Sequence, residues 1–124
     1  MKNRLLVVDD EPGIRLLLNE FLTMEGFSVD LAKDGEQAIS ILEVNASKYE
    51  CILTDIHMPG IDGISLGKFI FHNFPELPVI AITGDVDMKV LSALIRPYFT
   101  SIVAKPFDLY DVLSTVRDVC SYHN

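Results

Sequence analysis

No apolar run in the 124 residues approaches the roughly 18 needed to cross a bilayer. The opening Met1-Lys2-Asn3-Arg4 leads into four apolar residues and then acid, which is too short for the apolar region of a signal peptide. Cysteine is scarce. Cys51 and Cys120 have no zinc-ligand spacing between them, so two free buried thiols are expected. Basic residues are also few, 10 against 18 acidic, and the net charge of −8 argues against a nucleic-acid groove. Repeats, linkers and low-complexity stretches are missing, and no DNA-binding or enzymatic output segment is recognisable. These absences predict a soluble protein of a reducing, cytoplasmic setting, with no direct contact to nucleic acid or membrane.

What is present is a core. Hydrophobic residues make up 49% of the chain and mean hydropathy is +0.30, which excludes a disordered chain and predicts a single domain over residues 1–124. Leu5 to Val8, Tyr49 to Asp55, Val79 to Ile82 and Ser101 to Ala104 are short apolar runs of the kind found in strands covered on both faces. Phe27 to Ala32 alternates and reads as a strand near a sheet edge. Between them lie helical periodicities. Pro12 opens the first, in which Ile14, Leu17, Leu18, Phe21 and Leu22 share a face, and Gly26 closes it. Asp34 with Gln37 resembles a capping box for the second, which runs to about Ala46 with Ala38, Ile39 and Leu42 facing inward. Asp62-Gly63 starts the third, packed through Ile64, Phe69, Ile70 and Phe74. Asp85 or Asp87 would cap a fourth containing Val90, Leu91, Leu94 and Ile95, and Pro97 would stop it. Asp108 caps the last, with Leu109, Val112, Leu113, Val116, Val119 and Cys120 on one face. Strict alternation of strand and helix gives an α/β fold of (βα)5 pattern, a doubly wound five-stranded parallel sheet with helices on both faces.

Chemistry collects at the carboxyl ends of the strands, where open α/β sheets place their ligands. The first strand delivers Asp9 and Asp10, the third Asp55, the fourth Thr83 and the fifth Lys105. If the first and third strands are neighbours, three carboxylates converge, and such a group repels itself unless a cation intervenes. A hard dication with oxygen ligands, Mg²⁺ or Mn²⁺, answers that repulsion. A hydroxyl from Thr83 and an ammonium from Lys105 suit phosphoryl oxygens. Nucleophilic carboxylate, metal, hydroxyl and lysine together describe a phosphoryl-transfer site.

Five pieces, in order, make the chain resemble the receiver domain of two-component response regulators, whose fold is flavodoxin-like. They are Val7-Val8-Asp9-Asp10-Glu11-Pro12, the helix start Asp34-Gly35-Glu36-Gln37-Ala38, the stretch from Thr54 to Gly63, Thr83-Gly84, and Lys105-Pro106-Phe107. The resemblance implies the strand order 2-1-3-4-5 and a switch that catalyses only its own phosphorylation and dephosphorylation. Asp55 would be the phosphoacceptor. Asp10, Asp55 and the backbone carbonyl of His57 would bind the metal directly, and Asp9 through water. Thr83 and Lys105 would each hold a phosphoryl oxygen, and the Lys105-Pro106 bond would be cis. The implied phosphodonor is a sensor histidine kinase or a histidine phosphotransfer protein. A downstream protein would meet the face of the fourth helix, fifth strand and last helix (the family's α4-β5-α5 face), and a homodimer is a further possibility.

Two positions depart from the family pattern. Ile102 stands three residues before Lys105, where many receivers carry Tyr or Phe, so the aromatic half of the usual switch is missing. Pro97-Tyr98 stands where Gly-Ala is common, which predicts a stiffer connection and an altered fourth helix. His57 and Asp85 each lie two residues past Asp55 and Thr83, flanking the phosphoryl group. These departures keep an alternative open, a receiver-like protein-interaction module that works without phosphate. A hydrolase with an aspartyl intermediate fits less well, because His57 occupies the place of its second carboxylate and no insertion supplies a substrate cap. A flavin-binding domain fits least, since the loops carry acid rather than phosphate-cradling Gly, Ser and Thr.

Overall fold

The computed structural model describes residues 3–84 and 96–121. Five parallel strands, β1 (Arg4–Val8), β2 (Ser28–Ala32), β3 (Cys51–Asp55), β4 (Val79–Thr83) and β5 (Ser101–Ala104), form one sheet in the order β2-β1-β3-β4-β5. The described helices are α1 (Pro12–Met24), α2 (Gly35–Asn45), α3 (Gly63–Asn73) and a C-terminal helix (Leu109–Ser121), with a short 3-10 turn at Ala46–Lys48. The fold class expected from the alternation is the one found. The expected fourth helix, with Asp85 and Asp87 at its start, lies outside the described residues.

Strand periodicity sorts the core into two halves, because successive side chains leave opposite faces of a strand. Leu6, Val8, Ile52 and Ala81 pack under α2 and α3 with Ala38, Leu42, Leu66 and Ile70. Leu5, Val7, Leu53, Ile80 and Ile82 pack under α1 and the C-terminal helix with Leu18, Leu22, Val112 and Val116. Both thiols belong to the second half, and both are free and buried. Not every periodic residue turned inward. Leu17 is 42% exposed and Leu16 56%, so the inward stripe of α1 is narrower than its sequence pattern. α1 buries Leu18 and Leu22 fully, and the C-terminal helix packs Val112, Leu113, Val116, Val119 and Cys120 into the same half of the core.

Local chemistry sets the helix starts. Asp34 accepts a hydrogen bond from the Gln37 amide at 2.8 Å, and Asp62 accepts one from the Ser65 amide at 2.8 Å. Such caps contribute about 1 kcal/mol each. The capping box at Asp34 is rearranged, since the Gln37 side-chain carbonyl accepts from Lys33 N instead of from Asp34 N. Asp108 caps the C-terminal helix by accepting from the Tyr110 amide at 2.7 Å. After α1 the chain reverses through Gly26, whose φ of 101° lies in the left-handed region that favours glycine.

Candidate functional site

Three strand ends build the site. β1 stops at Val8, but the Asp9 amide extends the ladder by donating to Ala32 O at 3.2 Å, which fixes the residue just past the strand. Its carboxylate points inward, 1% exposed, and Oδ1 accepts from the Glu11 amide at 2.9 Å. Asp55 is the last residue of β3, in register with Ile82 of β4, and is 5% exposed. Lys105 follows β5, where its amide donates to Thr83 O at 2.7 Å and its bond to Pro106 is cis. Gly63 lets α3 begin against the end of β3. A Cβ there would collide with the Asp55 carbonyl and come within 2.7 Å of Ile56 Cα, and the Gly63 amide donates to Ile56 O at 2.8 Å.

Oxygens of Asp9, Glu11 and Asp55 lie within 4.8 Å of one another. The Lys105 ammonium reaches all three, at 3.5 Å from Asp9 Oδ2, 3.7 Å from Glu11 Oε1 and 3.4 Å from Asp55 Oδ2. Unit charges about 4 Å apart near a protein surface interact by roughly 4 kcal/mol, so three attractions are of the same order as three mutual repulsions. Three carboxylates against one ammonium still leave two negative charges. Burial raises the Asp9 carboxyl above its ordinary range, and the Asp55 and Glu11 charges push the same way, against the Glu11 amide and Lys105. Burial alone would lower the Lys105 ammonium, but Asp9, Asp55 and Glu11 outweigh it and hold it above its ordinary value. An all-oxygen donor set with two negative charges in excess fits Mg²⁺, which takes carboxylates and water.

The expected residues are not all gathered alike. Asp9, Asp55 and Lys105 converge. Asp10 is exposed, and Glu11 rather than Asp10 completes the carboxylate cluster among the described residues. Thr83 is at the carboxyl end of β4, paired with Ala104, but is wholly buried. His57 is exposed in the loop after β3. Asp85 lies outside the described residues. Glu11 carried a signal in sequence only as the third acid of a run. The turn after β1 decides which of three consecutive acids folds back, and the Asp9–Glu11 hydrogen bond that decides it has no counterpart in composition.

Carboxylates and a lysine at the switch point of a 2-1-3-4-5 sheet define the class, an acidic receiver-type site. Residues 5–117 match the family model described as the response regulator receiver domain, and the chain belongs to that family. Among relatives, it is 36% identical over 123 residues to sporulation initiation phosphotransferase F of Bacillus subtilis (strain 168), covering 94% of this chain and 93% of that one. It is 32% identical to the DNA-binding transcriptional regulator NtrC of Proteus hauseri, but there it spans 25% of the relative's length. Against the transcription factor SKN7 of Candida albicans the share is 20%. Among solved structures, response regulator protein TrrA from Thermotoga maritima, crystallised in complex with Mg(2+)-BeF, superposes with a TM-score of 0.84 at 34% identity, covering 96% of this chain and 99% of that one. A receiver domain from Clostridium thermocellum gives 0.90 at 22% identity over 97% and 95%, a likeness of fold. Receiver domains are phosphorylation-dependent switches. No described helix is long and apolar enough to cross a membrane.

Proposed function

We propose that the chain is a phosphoryl-accepting switch and that Asp55 is its nucleophile. The observation that carries this is the placement of Asp55 against Lys105, 3.4 Å from its ammonium, at a site with two uncompensated negative charges. A carboxylate oxygen of Asp55 attacks the phosphorus of a phosphohistidine on a sensor histidine kinase or phosphotransfer protein. The P–N bond breaks, and the imidazole leaves with its electron pair. Lys105, already beside the reacting oxygen, pairs with a phosphoryl oxygen as charge builds on it. Mg²⁺ or Mn²⁺, when bound, supplies charge neutralisation to carboxylates and phosphoryl oxygens alike. Asp9 and Asp55 are the buried donors for it, the His57 carbonyl lies in the adjoining loop, and Asp10 and Glu11 stand at the exposed rim. Thr83, buried at the end of β4, holds a second phosphoryl oxygen once its hydroxyl is uncovered.

Residues 1–124 act in this account as one receiver domain in the cytoplasm, catalysing only its own phosphorylation and dephosphorylation. A downstream protein reads the face of the segment before β5, β5 itself and the C-terminal helix, and pairing of two copies through that face is an available output. Ile102 favours a second reading. It packs into the core beside α3, so no ring at that position links phosphate to the face, and a module that binds its partner without phosphate is the competitor.

Acetyl phosphate with Mg²⁺ tests the first reading. Intact-mass measurement should show a gain of one phosphoryl group that disappears with EDTA and in Asp55→Asn. A folded wild-type protein that gains nothing would sink it. Partner binding equal in wild type and Asp55→Asn would favour the competitor.

A further inference from the structure

We propose that Arg15 is a positioning residue for the acidic site: its guanidinium clamps the Asp9 carbonyl and so holds the Asp9–Glu11 turn in the form that gathers a divalent cation. Arg15 Nη1 donates to Asp9 O at 2.7 Å, among the shortest side-chain hydrogen bonds of the described residues. The choice of partner is informative. Arg4 and Arg117 pair with the carboxylates of Asp30 and Glu25, at 3.0 and 3.4 Å. Arg15 has Asp9, Asp10 and Glu11 immediately before its helix, yet its hydrogen bond goes to a backbone oxygen.

That bond closes a ring. The Arg15 amide donates to Glu11 O at 3.1 Å as the first turn of α1, while its side chain reaches back over the turn to Asp9. The Glu11 amide in turn donates to Asp9 Oδ1. With its N–H on Ala32, its carbonyl on Arg15 and its carboxylate on Glu11, Asp9 is held at every polar group. Lys105 offsets the repulsion among Asp9, Glu11 and Asp55 from the side-chain face, and Arg15 holds the same turn through its backbone. Glu11 offers α1 no side-chain cap and Pro12 has no N–H, so the segment entering α1 is tied down instead through a donor to the Asp9 carbonyl.

The inference rests on the metal-dependent phosphoryl-accepting reading, and the sign of the effect separates it from simple electrostatics. Removing a positive charge near an anionic pocket tightens cation binding through the field alone. Removing a clamp weakens it. Isothermal titration calorimetry with Mg²⁺, and with Mn²⁺ as a second probe, should show Arg15→Gln binding about tenfold more weakly, the loss typical of a group that orients metal ligands. Arg15→Lys keeps the charge but not the planar fork and should also bind more weakly than wild type. Leu16→Gln, on the exposed side of the same turn, should bind as wild type does and controls for damage to α1. Acetyl phosphate kinetics should move in parallel: half-saturating Mg²⁺ rises in Arg15→Gln, and the rate at saturating Mg²⁺ stays within about twofold of wild type, the signature of lost binding without lost chemistry. Unchanged or tighter binding in Arg15→Gln, or equal weakening in Leu16→Gln, overturns the inference while leaving the parent reading intact. A wild-type protein that binds neither metal overturns both.

Discussion

The two ends of the parallel sheet solve different problems. At the carboxyl end, charged and polar atoms are fixed by short, directed contacts: Asp9 by three hydrogen bonds, Lys105 by three carboxylates, and Asp55 by the register of β3 with β4. At the amino end, rings and prolines meet with room to spare. Phe71 and Tyr98 stand edge to face at 5.4 Å, as do Phe69 and Phe74 at 6.0 Å. Cavities of about 330 and 190 Å³ open between Tyr49, Phe74 and Leu77 and between Phe71, Pro97 and Phe99. One end is fixed by charge and hydrogen bonds, and the other is filled by shape.

Matched glycine substitutions should break that comparison most sharply. A Cβ at Gly63 would strike the Asp55 carbonyl, a backbone atom with nowhere to go, whereas at Gly67 it would meet the rim of the Phe99 ring at 2.5 Å. That ring borders a cavity and can tilt. Gly63→Ala is therefore expected to cost about 3 kcal/mol and Gly67→Ala about 1 kcal/mol, read from urea midpoints. Equal costs would show that the two ends are equally rigid.

Asp9→Asn should act with the opposite sign. It removes a buried carboxylate from a cluster that repels itself, so thermal unfolding in EDTA should rise by a few degrees, about 1 kcal/mol, while the rise that Mg²⁺ gives wild type is lost. A lower melting point in EDTA would mean that the Lys105 pairing outweighs the repulsion.

Tyr49 supplies the test of a polar contact at the amino end. Its hydroxyl donates to Asp30 Oδ2 at 2.7 Å, and Tyr49→Phe should cost about 1 kcal/mol at neutral pH. Burial raises the phenol well above its ordinary value of 10.0, with the Asp30 hydrogen bond adding to it. A raised value means the contribution is whole below pH 10 and is lost as pH climbs toward the folded-state value, so the gap between wild type and Tyr49→Phe should be constant below pH 10 and shrink above it. A gap that changes between pH 6 and pH 9 would contradict this.

The smallest effect is chemical. Burial pushes the Cys120 thiol up to about 11 and the Cys51 thiol well above its ordinary value. Alkylation at pH 8 should be slow until denaturant is added, since the thiolate is the reactive form. Fast labelling of the native protein would show that the C-terminal helix opens.

Most of this arrangement was legible in the residues. Strand ends announced the placement of Asp55, Thr83 and Lys105, because an apolar run that stops at a polar residue marks the carboxyl end of a buried strand. Asp34, Asp62 and Asp108 announced their helices through cap chemistry that needs only neighbours in sequence. Other features needed the third dimension. Glu11 in place of Asp10 depends on how one turn closes. The exposure of Leu17 depends on how wide a stripe of α1 the sheet takes up. Gly67 against Phe99 joins residues thirty-two positions apart with no pattern to link them. Local chemistry is written in the chain, whereas the sharing of space among elements is settled only when they pack.

The central claim is that, of the acids gathered at the carboxyl end, Asp55 alone takes the phosphoryl group. Fragment-ion mass spectrometry on the acetyl phosphate-treated protein, with the acyl phosphate trapped by borohydride reduction, locates the modified residue directly. The modification should fall on Asp55 and be absent from Asp9, Asp10 and Glu11. A modified Asp9, Asp10 or Glu11 with Asp55 untouched would contradict the account.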